Sequence, residues 1–232
     1  MQLSNELLWI ITIVVNFSLL MLMYRFMGKT GLIVWVAVAS LIANIQVIKL
    51  VELFGFDATL GNIVYGTSFL ATDILSENYS KSAAKKSIWI GFAAIIVMLV
   101  TMKLATLFIP AEGDFASESL NTIFGIMPRI VIASLLAYII AQHHDVWAYQ
   151  FWKNKFPDTK YIFIRNNAST MVSQLIDTSI FTLVAFLGVF PGKTLVQIIA
   201  TTYILKWLVA LLDTGCVYLA AKWHKNGKIR EF

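Results

Sequence analysis

Six apolar runs dominate this chain: Leu7 to Met27, Gly31 to Phe54, Ile88 to Ile109, Leu120 to Ala141, Asn167 to Phe190 and Leu195 to Ala221. Each reaches the roughly 20 residues with which a helix crosses a hydrocarbon core. Lipid offers no partner to backbone N–H and C=O groups, so runs of this length are read as membrane-spanning helices. A seventh stretch, Leu60 to Ser76, is shorter and rich in Gly, Ser and Thr. A tilted span, a broken helix and a re-entrant segment all suit it, and it is taken as a span. With 59% hydrophobic residues and four prolines in 232 residues, the make-up is that of an all-α integral membrane protein, not a soluble domain.

Basic residues give the orientation. Arg25 and Lys29; Lys81, Lys85 and Lys86; Lys153, Lys155, Lys160 and Arg165; and Lys222, Lys225, Lys228 and Arg230 all fall on one side if there are seven spans. The positive-inside rule then puts the N-terminus outside and the C-terminus in the cytoplasm of a multi-pass protein of the cell (inner) membrane. The opposite side carries the acidic PAEGDFASES loop and the FPGKT turn. MQLSNELLWII has no basic leader, so the first run reads as a retained span. Most tryptophans, Trp35 among them, are assigned to span ends. The connection from Gln142 to Asn166 reads as polar, with QFWKNKFPDTKYIF as an interfacial piece. Charge dispersed among loops argues against nucleic acid as a partner. Cys216 is the single cysteine, so there is neither a disulfide framework nor a cysteine metal site.

An ionisable side chain near the bilayer centre costs about 2.5 to 3.5 kcal/mol on insertion scales, so each needs a partner or a task. Arg129, Asp177 and Lys206 lie near mid-span, Asp73 toward a span end with Glu77 at its edge, Asn44 mid-span, and Gln174 one turn from Asp177. Helical spacing places Thr170, Gln174, Asp177 and Phe181 on one face, Lys206 and Asp213 on another, and Asn44 over Ile48 and Glu52. Such faces should turn toward a shared polar cavity. A structural ion pair is the competing reading for Arg129, Asp177, Lys206 and Asp213; a solvated helix end is the competing reading for Glu77 and the lysines after it. His143 and His144 read as an exposed loop pair. The chain holds no HExxH, GxSxG or P-loop, so an enzyme, a metal site and a cofactor are not expected. Polar groups at mid-depth suit a carrier of a polar solute.

The segment FGFDATLGNIVYGTSFLATDILSENYSKSAAKKSIWIGF, joined by RNNASTMVSQLIDTSIF and Arg129, resembles the signature of the queuosine-precursor transporter family, also called the vitamin-uptake-transporter family. Ser80 stands where many members have Gly. The resemblance implies a six-helix transporter core, residues 29–232, similar to substrate-binding components of energy-coupling-factor transporters. Residues 1–28 would be an extra N-terminal transmembrane helix. The implied solute is a 7-deazaguanine such as 7-cyano-7-deazaguanine, its aminomethyl form or queuine. One carboxylate, Asp73 or Asp177, can accept both hydrogen bonds of the guanine edge, while Asn44, Gln174 or Arg129 satisfies the carbonyl. Tyr65, Phe69 or Phe181 can stack on the ring. Lys206 completes the set, with Thr72, Glu77, Ser173, Thr178 and Asp213 as secondary candidates. Alternatives are a substrate-binding subunit that docks an ATPase module through Ala39 and Ala43 and an intramembrane enzyme; a homo-oligomer is compatible with the transporter reading.

Overall fold

The computed structural model describes residues 3–155 and 162–231. Lys160 and the middle of the expected interfacial piece lie outside the described residues, as do the side chains of His143, Lys153, Arg165 and Thr170. The chain forms α1 (Asn5–Gln46), β1 (Leu50–Leu53), β2 (Phe56–Thr59), α2 (Asn62–Asn78), α3 (Lys81–Ala105), α4 (Ser117–Lys155), α5 (Ile162–Phe186) and α6 (Gly192–Lys225). Two compact units are distinguished: Met1–Met127 with Ile204–Phe232, and Pro128–Tyr203. Among the described residues, α1, α3, the 117–141 part of α4 and α6 are long and apolar enough to cross a membrane. The chain is a multi-pass membrane protein.

A straight helix of 42 residues would be about 63 Å long, yet the two ends of α1 meet the same hairpin. The Phe54 amide donates to Glu6 Oε1 at 3.1 Å, and Asn5 Nδ2 donates to the Glu52 carbonyl at 2.9 Å. The reversal is at Gly28, with φ 53° and ψ −133°, a conformation open essentially to glycine. α1 is therefore two arms, residues 5–27 and 29–46, matching the first two apolar runs. Phe17, Leu20 and Tyr24 on the first arm and Leu32, Trp35, Val36, Ala39 and Ala43 on the second recur at helical spacing. They bury against Leu70, Ala71, Ile74 and Leu75 of α2. Lipid tails are as apolar as leucine, so this cluster is held by close packing and internal hydrogen bonds. Trp35 Nε1 donates to Thr67 Oγ1 at 2.9 Å, and that hydroxyl donates to the Val64 carbonyl at 2.7 Å.

Four expectations need correction here. The second run does not stay helical to Phe54: the helix stops at Gln46, and Leu50 pairs with Thr59 and Leu53 with Phe56 in an antiparallel hairpin. Its two-residue loop, Phe54-Gly55, has φ of 53° and 80°, the left-handed pair that a tight primed turn demands. Asn44 therefore cannot stack over Ile48 and Glu52 on a helix. Ala39 and Ala43 are 1% and 6% exposed, packed inside their own chain, so they offer no docking face. Trp35, 7% exposed, is a core residue and not a belt residue. Finally, α4 continues through 142–155, so the polar connection expected from Gln142 to Asn166 is largely helix.

At the other end of the first unit, α2 stops at Asn78 and α6 at Lys225. Residues 226–231 then return to the α1 turn, where the Arg230 amide donates to the Arg25 carbonyl at 3.0 Å.

Candidate functional site

In the first unit, α2 and α6 come together at Gly66, where a β-carbon would stand 2.6 Å from Val209 Cγ1. That near contact governs which polar groups meet. Tyr65 precedes Gly66, and Lys206 lies one turn before Val209; the Lys206 ammonium sits 5.6 Å from the centroid of the Tyr65 ring, a cation–π contact. Two turns further along their helices from this contact come Asp73 on α2 and Asp213 on α6. The order Tyr65, Gly66, Asp73 against Lys206, Val209, Asp213 makes the two helices parallel. Tyr65, Phe69 and Asp73 repeat every four residues, so they form one stripe. Tyr65 and Phe69 stand edge to face, with centroids 5.0 Å apart. Asp73 is exposed, Asp213 half-buried, and Cys216, one turn beyond Asp213, packs against the core. This face offers a paired-acceptor carboxylate, a second carboxylate, a cation and two aromatic rings.

Other candidates in this unit are placed differently. Asn44 is buried, and its Nδ2 donates to the Ser40 carbonyl, one turn back, at 2.8 Å. Thr72 donates to the Phe69 carbonyl at 2.8 Å, a local bond of the sort hydroxyls make on helices. Glu77 is exposed beyond the stripe.

In the second unit, Arg129 follows Pro128, which removes one backbone donor from α4. Its guanidinium donates at 2.6 Å to each of the Val184 and Leu187 carbonyls. These lie at the C-terminal end of α5, where helix carbonyls lack N–H partners and a cation is favoured. The geometry gives Arg129 a capping contact with backbone carbonyls, a different partner from the carboxylate of the ion-pair reading. Gln174 and Asp177 are half-buried, and Ser173 and Thr178 are buried at 5% and 1% exposure. Ser173 Oγ lies 3.0 Å from His144 Nδ1. His144 is thus half-buried on a helix, against the exposed loop expected for it. Sequence reasoning missed Thr182, whose buried hydroxyl has no hydrogen-bond partner among the described residues. Its place four residues after Thr178 was the available signal.

No group of three or more His, Cys, Asp or Glu residues suited to a metal ion occurs among the described residues. Residues 59–220 match the family described as "Putative vitamin uptake transporter". The chain belongs to this family. It is therefore a transporter and not an enzyme, with a small-molecule substrate and the lipid bilayer as its surroundings. It is 43% identical over 222 residues, 96% of its length and 97% of the relative's, to a Bacillus subtilis protein named "Probable queuosine precursor transporter". A Haemophilus influenzae protein of the same name is 31% identical over 135 residues, 57% of this chain and 54% of that one. No solved structure matches the chain.

Proposed function

We propose that this transporter carries a queuosine precursor, a 7-deazaguanine, into the cytoplasm. The observation that carries the reading is the α2 stripe of Tyr65, Phe69 and Asp73, which meets α6 at Lys206 and Val209, two turns and one turn before Asp213. A 7-deazaguanine presents a ring N–H and an exocyclic amine side by side, two donors that one carboxylate accepts together. Asp73 takes that edge, Lys206 the ring carbonyl, and Tyr65 and Phe69 the flat face. The names of the two relatives support the same solute class. Gln174 and Asp177, half-buried one turn apart on α5, are assigned to the coupling of transport.

The proposal extends to architecture. Residues 1–28 add one span to a six-helix transport core in 29–232, and the basic clusters lie in the cytoplasm with the N-terminus outside. A cysteine at Lys85 should resist an impermeant thiol reagent applied to intact cells, and ready labelling would reverse the orientation. The function itself is tested by uptake of labelled 7-cyano-7-deazaguanine in cells that cannot make queuosine precursors. The expected result is accumulation that depends on this chain and is competed by the aminomethyl form or by queuine. No uptake of any of the three, with normal membrane abundance, would reject the solute assignment.

A further inference from the structure

Side-chain contacts gather at the end where α1 turns, α2 stops and α6 runs out. Glu231 reaches into the α1 turn: its Oε2 accepts the Lys29 amide at 3.1 Å, and its Oε1 accepts the Tyr79 hydroxyl. Lys29 opens the second arm of α1, so the carboxylate occupies the positive end of that helix. Tyr79 is the C-cap of α2. Burial, and then the bond to Glu231, push the Tyr79 phenol up, so it stays a donor at neutral pH. Around this carboxylate the cations are matched with rings: Arg25 lies 5.1 Å from Trp223, Arg230 5.7 Å from Phe26 and Lys29 6.0 Å from Tyr79. His224, at the end of α6, meets Tyr79 edge-on at 5.0 Å. Ile229 packs against the core between these polar contacts.

We propose that residues 226–231 are a strap that holds the α2–α6 face shut at this end and releases to let solute leave. The proposal rests on the reading of that face as the solute site. α2 and α6 touch closely at Gly66 and Val209, and beyond that crossing their C-terminal ends are joined through Tyr79, with Glu231 and His224 on it. Parting the two ends to widen access to the half-buried Asp213 requires Glu231 to leave Tyr79 and Lys29. Two packed helices tied by a short segment at one end form a hinge with a latch, and such elements have two discrete arrangements.

Cys216, the single cysteine, reports the opening because it lies on α6 one turn past Asp213 and packs against the core. The experiment measures its alkylation by an impermeant maleimide in inside-out and right-side-out vesicles, for wild type, Glu231→Gln and Tyr79→Phe. Glu231→Gln should raise labelling from the cytoplasmic side by about tenfold, the factor that loss of one charge-assisted bond gives. Tyr79→Phe should act in the same direction, and labelling from the other side should stay unchanged. A change of less than about twofold in both variants, or an equal rise from both sides, would overturn the strap, the second because it signals general loosening. Labelling needs no solute, so the two readings fail separately. A side-specific rise in a protein that takes up no 7-deazaguanine leaves the strap standing and removes the solute assignment.

Discussion

Asp73→Asn should weaken binding of a 2-amino 7-deazaguanine by a factor between about 5 and 150, while its des-amino analogue loses far less. The range corresponds to about 1 to 3 kcal/mol for a buried donor left without an acceptor. Its cause is the direction of the bonds. A carboxylate accepts from the ring N–H and from the exocyclic amine together, whereas an asparagine accepts through its carbonyl and turns an NH2 toward the second donor. The analogue without the amine never made the second bond, so it has less to lose. The substitution also removes a negative charge from the face, which acts on both ligands alike and cancels in the comparison. Affinities of both compounds for purified wild-type and mutant protein decide the matter. Equal losses would mean that Asp73 shapes the face without reading the guanine edge.

Much of this face was legible in the sequence because it depends on periodicity. Tyr65, Phe69 and Asp73 at four-residue spacing, and Lys206 and Asp213 two turns apart, each had to share a helix face once the segments were helical. What the sequence could not give was the pairing of those faces. It rests on Gly66 meeting Val209, a contact between segments far apart in the chain. Arg129 is the opposite case, a residue legible in the sequence whose partners are not. An intramembrane guanidinium needs acceptors, which carboxylates or a solute can supply; the carbonyls of Val184 and Leu187 supply them too, and nothing in a side-chain pattern announces a backbone acceptor.

The hairpin was missed because VELFGF is apolar enough to extend the preceding run, and period two is hard to tell from a helix end over so few residues. Phe54-Gly55 departs from the asparagine-glycine or aspartate-glycine pairs that signal such a turn. Phenylalanine at positive φ is costly, and the clamp from Asn5 and Glu6 onto this hairpin shows what holds it there.

Gly28→Ala should destabilise the protein by about 1 to 3 kcal/mol, the usual cost of holding a residue with a β-carbon in a sparsely populated backbone region. The sign is the informative part. Were α1 one continuous helix, alanine in place of a mid-helix glycine would instead stabilise it by roughly 0.5 to 1 kcal/mol. The turn at φ 53° reverses that expectation. A second contribution comes from Glu231, because a β-carbon on residue 28 would run into its carboxylate and displace it from Lys29 and Tyr79. The two contributions separate in a double-mutant cycle with Glu231→Gly, which empties the space without changing the turn. Thermal unfolding in detergent should show the double mutant less damaged than the sum of the single ones, since the clash is absent once Glu231 is gone. Strict additivity would put the whole cost in the backbone, and a stabilised Gly28→Ala protein would contradict the two-arm form of α1 itself.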